Sequence, residues 1–407
     1  MVGLEKMVRL ADESRFDAIE PFNFKSIDLK KVHALGDATK HDICVSSAST
    51  REVSGTDRIG DVTRSGVCHS YSHDGRCVSM LKTLYTNECS HQCTYCSNSS
   101  TCKNTKAIYN YEPRELANVL MHLYRCNYVE GLFLSSGIGK DEDKTMECMI
   151  EAINILRKDY KFSGYVHLKI LPGTQAYLIK QAVELADRVS VNIEVPSSEY
   201  MDVMGPSKDF KNDILRKQRY ISKLSRTRPL PAGQTTQYVV GGADESDMEI
   251  FSSVLKEYCK MGIKRAYYSA FLPVDGTALA DRQPQPPWRE HRLYQLDWLY
   301  RIYKLKIDEL YTAFNDSDLL ENKDPKIAIA SEIFSKPIDP NYASFSELIR
   351  VPGIGPISAK RIVSSRKKDK IKSRRELHYL GVRIKRANPY LKIGGWQESS
   401  LDRWVRR

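Results

Sequence analysis

Cys89-Ser-His-Gln-Cys93-Thr-Tyr95-Cys96 places three cysteines three and two residues apart, in a loop entered from the apolar run that begins at Cys77. Spacing this tight lets one loop turn three thiolates onto a single small object. Cysteines hold cubane iron–sulfur clusters, and a mixture of thiolates and nitrogen suits zinc. A [4Fe–4S] cluster held by only three thiolates leaves one iron open to an outside ligand. The zinc alternative recruits His91 or Cys102 as fourth ligand. A disulfide pairing is disfavoured by the absence of an export signal.

Composition sets the surroundings. The 407 residues allow two or three domains and a large core, and the charged (28%) and apolar (41%) fractions are those of an ordinary globular protein. The N-terminus is charged throughout, no apolar run reaches the length of a membrane span, and ten cysteines without a leader imply a reducing compartment. A cytoplasmic protein without a membrane partner is expected. Residues 341–407 carry a balance of +12 and the rest of the chain −1, so all the excess positive charge lies in the tail. That is the pattern of a separate polyanion-binding module.

From Val78 onward strand and helix patterns alternate. Strands are predicted at Met80–Tyr85, 131–136, Tyr165–Leu171, Arg188–Val195, Thr235–Val240 and Arg265–Phe271. Helices are predicted at Pro113–Arg125, Thr145–Asp159, Gln175–Leu185, Lys208–Leu224 and Met248–Met261. An early helix is predicted around Leu4–Ala11, and 46–75 reads as a loop or lid that orders on contact. Cys68 and Cys77, near His69, His73 and Asp74, read as loop or packed thiols more readily than as a second metal site. The Pro-rich stretch 283–287 marks a boundary. The following helix, with Leu293, Leu296, Leu299 and Tyr300 on one side, is expected to pack over the barrel mouth. Its Arg289, His291 and Arg292 are phosphate contacts or a solvated face.

The cysteine loop resembles the hallmark of the radical S-adenosylmethionine (SAM) superfamily, CxxxCxxC with an aromatic before the last cysteine. The resemblance implies an α/β fold, a partial (β/α)6 barrel, with Cys89, Cys93 and Cys96 on a [4Fe–4S] cluster. It also implies that SAM chelates the open iron and is cleaved to a 5′-deoxyadenosyl radical. In parallel barrels chemistry collects at the carboxyl ends of strands, which is where the matching residues fall. Ser135-Ser136-Gly137 stands where the family has a Gly-Gly-Glu-like turn for the SAM amino group, without its acidic member. Asn192-Ile-Glu194 looks like the family's Asn-x-Asp/Glu pair, and strand alternation would put both side chains on one face toward the ribose hydroxyls. Gly241 opens a Gly-rich segment like the one beside the adenine, Lys169 would meet the SAM carboxylate, and Tyr95 completes the SAM contacts. No general acid or base can be assigned.

The tail segment Leu348-Ile-Arg-Val-Pro-Gly353-Ile354-Gly355-Pro-Ile-Ser-Ala-Lys360-Arg361 resembles the helix-hairpin-helix module of DNA repair proteins. Glycines allow the sharp turn, amides at the start of the second helix take a phosphate, and Lys360 and Arg361 follow, with Arg366 and further basic residues behind them. Such contacts give affinity without sequence preference. Residues 375–387 read as a second, weaker half of a paired unit.

From about Gly66 to Gly395 the chain resembles the DNA modification/repair branch of radical SAM proteins. The shared wording includes Asp74-Gly-Arg-Cys77, Gly131-Leu-Phe-Leu-Ser-Ser-Gly137, Arg289-Glu-His-Arg-Leu-Tyr294 and Val351-Pro-Gly-Ile-Gly355. The resemblance implies an enzyme acting on a nucleotide in DNA and an electron donor such as flavodoxin or ferredoxin. It also implies an association with a uracil-DNA-glycosylase-like protein. The expected organisation is an N-terminal extension (1–75), the barrel (76–285), a helical connector (286–340) and an all-α helix-hairpin-helix domain (341–407). RNA modification is the alternative within enzymes. A non-catalytic, zinc-containing DNA-binding protein is the alternative outside them.

Overall fold

Leu132 and Leu134 face one way and Phe133 and Ser135 the other, the two-residue alternation of a strand covered on both sides. The leucines enter the main core beneath the helices, while Phe133 meets Met80 and Cys68 on the inner side of the sheet. Six such strands run parallel in sequence order: β2 (Cys77–Leu84), β3 (Gly131–Ser135), β4 (Tyr165–Lys169), β5 (Arg188–Ser190), β6 (Gly233–Val240) and β7 (Arg265–Ala270). Helices α2 (Pro113–Arg125), α3 (Glu142–Lys158), α4 (Ala176–Leu185), α5 (Ser198–Met204), α6 (Arg216–Thr227) and α7 (Asp247–Lys256) link them, so the sheet curls into a half-barrel. This is a computed structural model, and it describes residues 28–39, 67–71, 77–104, 106–139 and 141–394. The early helix expected near Leu4–Ala11 and most of the stretch 46–75 lie outside the described residues.

A seventh strand, β1 (Val67–Tyr71), corrects the loop reading of 46–75 at its end. It pairs antiparallel with β2, from Val67 opposite Leu81 to Tyr71 opposite Cys77. The polar run Cys-His-Ser-Tyr hid it, because an edge strand needs few apolar side chains. Cys68 packs from it against Met80 and Phe133. Upstream, α1 (Leu29–Asp37) lies against β2, fixed by the fully buried Leu35 and a 2.8 Å ion pair from Lys31 to Glu115.

The opposite edge, β7, is closed by side chains. Its alternate amides at Ala266, Tyr268 and Ala270 donate to Tyr258 Oη (3.1 Å), Tyr294 Oη (3.0 Å) and Glu290 Oε2 (2.7 Å). Satisfying every second N–H in this way removes the template that an open edge would offer another strand. Glu290 and Tyr294 belong to α8 (Pro287–Trp298), which begins at a proline suited to a first helical turn. This helix packs along β7 with Leu293, Leu296 and Leu299 buried. It therefore seals the sheet edge rather than covering the mouth. Arg289 is likewise internal: it donates to Asp247 Oδ1 (2.7 Å) and the Glu245 carbonyl (2.8 Å), so it is no phosphate contact.

Beyond α8 come α9 (Ile307–Tyr311) and α10 (Pro325–Ile333). Two helical hairpins follow: α11 (Phe345–Arg350) with α12 (Pro356–Ser365), then α13 (Arg374–Tyr379) with α14 (Ile384–Ala387). Gly353, Ile354 and Ala359 recur 28 positions later as Gly381, Val382 and Ala387. Both glycines adopt left-handed φ values, +85° and +90°, which a Cβ would oppose. The hairpins interlock: Arg383 N donates to the Gly353 carbonyl and Ser358 Oγ to the Gly381 carbonyl, each at 2.9 Å. No described helix is long and apolar enough to cross a membrane.

Candidate cofactor site

The cysteine loop leaves β2 and is stitched to the turn after β3. Ser90 donates from its amide to the Ile138 carbonyl (2.6 Å) and from its hydroxyl to the Gly139 carbonyl (2.9 Å). Gly137 N donates to the Thr86 carbonyl (2.7 Å), and a Cβ at Gly137 would collide with the Glu88 carbonyl. Glycine is thus required there by the approach of the cysteine loop itself. Ser136 Oγ accepts from Thr86 N (3.3 Å), and Ser135 lies at the end of its strand facing the interior.

These elements enclose a cavity at the carboxyl ends of the parallel strands. Cys89, Cys93, Tyr95 and Cys96 line one side, and Ser135, Ser136 and Gly137 a second. Lys169, Asn192 and Glu194 line a third. Gly241 stands apart from the lining. Its φ is +77°, its amide donates to Glu245 Oε1 (2.5 Å), and a Cβ there would meet Gln285 and Arg289.

Asn192 and Glu194 reach the cavity by a different route from the alternation expected of a strand over Arg188–Val195. Strand β5 ends at Ser190. Ile193 N then turns to the Thr236 hydroxyl (3.0 Å), and Glu194 adopts φ +64° while staying bonded to β6 through Gln237 and Val239. A non-glycine residue held at positive φ costs on the order of 1 kcal/mol or more, a kind of strain concentrated at functional sites. The Tyr95 hydroxyl hydrogen-bonds Glu194; burial first, and Glu194 next, hold that phenol above its usual range.

The sequence reading did not single out Lys208, which also lines the cavity. Its ammonium hydrogen-bonds Cys93. Burial alone would lower the lysine's affinity for its proton, but Cys93, Glu194 and Cys96 raise it above the ordinary value. Nothing in the stretch Met204-Gly-Pro-Ser-Lys208 has a fixed spacing from the cysteines, so no motif could have flagged it. Gln237 and Ser269, on the inner faces of β6 and β7, complete the polar lining.

Burial pushes the Cys96 thiol up to about 12, with Cys93 adding to it, and raises Cys89 as well. Thiols so placed give up their protons when a metal replaces them. The donor set suits a polynuclear cluster better than zinc. His91 is engaged at both ring nitrogens, with Glu142 Oε1 (2.9 Å) and Ser207 Oγ (3.1 Å), and Cys102 lies outside the cavity lining. Three thiols of one loop, with no fourth protein ligand at the cavity among the described residues, fit a [4Fe–4S] cluster with one open iron.

In the tail, Gly353 abuts Arg383, Ile354 is buried with its carbonyl on Lys326 Nζ, and Gly355 caps α12 beside Tyr303. Lys360 and Arg361 are exposed on α12. Arg366 is occupied, donating to the carbonyls of Pro340 (2.8 Å) and Ala343 (2.5 Å).

Family comparison matches residues 83–252 to the radical SAM superfamily and residues 334–381 to a helix-hairpin-helix motif. No curated protein sequence matches the chain. Solved structures similar to it include methylornithine synthase (14% identity, TM-score 0.45, covering 54% of this chain and 61% of that one). They also include HydG, a maturase of the [FeFe]-hydrogenase (11%, 0.43, 54% and 49%), and coproporphyrinogen III oxidase from Escherichia coli (12%, 0.36, 54% and 52%). The chain thus spans about three fifths of methylornithine synthase and about half of the other two. Radical SAM domains use a [4Fe–4S] cluster and SAM, and the cysteine loop has the donors for that cluster. The chain contains a radical SAM domain, followed by a helix-hairpin-helix motif.

Proposed function

We propose that the protein is a radical SAM enzyme that acts on a nucleotide of DNA held by its C-terminal hairpins. Cys89, Cys93 and Cys96 would hold the cluster. Tyr95, Ser135, Ser136, Gly137, Lys169, Asn192 and Glu194 would surround SAM, and Gly241 would support the turn behind it. When bound, the two cofactors supply a 5′-deoxyadenosyl radical, and the protein's share is to orient them and exclude water.

The observation that carries the DNA reading is the docking of the hairpins on the helices that follow the barrel. Arg350 forks onto both carboxylate oxygens of Glu309 at 2.7–2.9 Å, Lys326 reaches into the first hairpin, and Arg386 pairs with Asp324. The helices carrying Glu309, Asp324 and Lys326 follow directly on α8, which is bonded to β7. A polyanion gripped by the hairpins therefore has a set position relative to the strand ends. Gly353, Ile354 and Gly355 shape the turn; Lys360 and Arg361 would meet phosphates. A base inside a duplex is out of reach of the cavity, so the target nucleotide would be extruded or unpaired.

The same reading brings a reducing, cytoplasmic setting, a flavodoxin- or ferredoxin-like electron donor, and a uracil-DNA-glycosylase-like protein as a further partner. The test is anaerobic incubation with reductant, SAM and either single-stranded DNA, duplex DNA or tRNA. Formation of 5′-deoxyadenosine together with a mass change in a DNA nucleoside is expected. A mass change confined to tRNA would replace DNA with RNA.

A further inference from the structure

Outside the cofactor cavity, and sharing Ala38, Ser97, Asn98, Leu272 and Val274 with it, lies a second and more open chamber of about 660 Å³. That volume falls within the ~300–1,000 Å³ typical of small-molecule sites. It occupies the gap between the two edges of the half-barrel, where one side is the β2 end and the other the segment after β7.

Each wall is held in place. Helix α1 supplies Ala34 and Ala38 and is anchored by Leu35 and Lys31, as described above. The segment 106–109 is pinned by Asn87, whose Nδ2 donates to the Ala107 carbonyl (2.9 Å) and whose Oδ1 accepts from Tyr109 N (2.7 Å). The far wall is locked where Asn104 Nδ2 donates to the Asp275 carbonyl (2.6 Å) and Lys103 N to the Gly276 carbonyl (2.8 Å).

The chemistry of the lining narrows the occupant. Three alanines, Leu272, Pro273 and Val274 supply the apolar part of the lining and Asn87, Ser97, Asn98 and Asn104 its neutral polar part; the half-buried Asn98 has a side-chain amide that no described residue takes. Among the described residues the charged groups at the chamber are Lys106, Asp275 and Asp37, the last shared with His33 at 3.0 Å. Two carboxylates against one ammonium disfavour an anion inside. They favour a flat, uncharged group whose amino hydrogens a carboxylate or amide oxygen can accept.

We propose that this chamber receives an unstacked nucleobase carrying an exocyclic amino group, with Asn98 on its polar edge. Its phosphates stay outside, at Lys106 and the basic hairpins. This rests on the nucleic-acid reading above and assigns the place where the target base is held beside the cofactors.

The test uses the full chain and a single-stranded oligonucleotide with one 2-aminopurine, which brightens when unstacked. Anisotropy reports binding, and emission reports capture of the base. In the wild type, emission is expected to rise about threefold or more on binding, as for a base removed from its stack. Ala34→Trp, which fills the chamber, and Asn98→Ala, which removes the amide, should each abolish most of that rise. Binding through the hairpins, none of whose residues lines the chamber, should stay within about twofold. Persistence of the rise in both variants, or wild-type binding with no rise, would overturn the proposal.

If the oligonucleotide does not bind at all, the hairpin reading fails, and titration with 2′-deoxycytidine then decides the chamber alone. Binding weakened about tenfold by Asn98→Ala supports it, in line with loss of a hydrogen-bonded contact. Absence of nucleoside binding overturns it.

Discussion

The ammonium of Lys326 donates a 2.6 Å hydrogen bond to the main-chain carbonyl of Ile354, the middle residue of the first hairpin, and lies 4.5 Å from the centre of the Tyr303 ring. Burial pushes the lysine's pKa down to about 7, against an opposing pull from Asp324. An unfolded lysine titrates near 10.4, so between about 7 and that value the folded protein binds fewer protons than the unfolded chain. Stability then rises with pH through this window; the cost of burying the charge is full below about 7, shrinks across the window and is gone only above the unfolded value. The wild type should gain stability relative to Lys326→Met between pH 7 and pH 9, on the order of a few kcal/mol. Urea midpoints at the two pH values measure this. Parallel profiles for the two proteins would show that the lysine does not titrate there.

The exposed and occupied arginines of the tail should behave differently. Lys360→Glu and Arg361→Glu are expected to weaken DNA binding and to lower the slope of log affinity against log salt by about 1 per residue. Arg366→Ala should leave that slope alone but cost about 1–3 kcal/mol of stability, because it strips two carbonyls of their donor. An Arg366→Ala protein of unchanged stability with a reduced salt slope would reverse these assignments.

Lys208 places a positive charge and an N–H···S hydrogen bond beside Cys93. Both favour the more negative, reduced state of a cluster bound there. Lys208→Met should lower the reduction potential of the reconstituted cluster by tens of mV, an order-of-magnitude expectation from loss of one nearby charge. Lys208→Arg should retain most of the wild-type value. Potentiometric titration followed by electron paramagnetic resonance reads the difference, and an equal or higher potential in the methionine variant would refute it.

Glu194 lines the cavity beside the cysteine loop and accepts from the hydroxyl of that loop's Tyr95. Glu194→Gln keeps its shape but loses the charge that strengthens hydrogen bonds to ribose hydroxyls. Iron content should stay at the wild-type level while SAM affinity falls about tenfold. Iron loss in parallel with affinity would instead make Glu194 a support for the cluster loop.

Much of this architecture could be read before any coordinates. The run at 131–135 is buried on both faces, so it stands out from its surroundings, and the three cysteines sit in one loop where spacing alone brings them together. Strand β1 was hidden because its stretch Cys-His-Ser-Tyr carries no apolar alternation to mark it, and its pairing with Cys77–Leu81 is a backbone register that sequence pattern does not encode. The end of β5 at Ser190 was hidden because Thr236 takes the Ile193 amide, a tertiary contact that propensity does not encode. Arg289 and Arg366 look like surface cations in a string of residues, yet each is spent on buried carbonyls or a carboxylate. Lys208 and the α1 wall of the outer chamber arise from packing between segments far apart in the chain.

The central claim is that Cys89, Cys93 and Cys96 hold a [4Fe–4S] cluster whose remaining iron is open to SAM. Mössbauer spectroscopy of the anaerobically reconstituted protein, with and without SAM, tests it most directly. About four irons per chain are predicted, with one iron site changing its signal when SAM is added. A bound zinc ion without iron, or a cluster whose four irons are indifferent to SAM, would contradict the account.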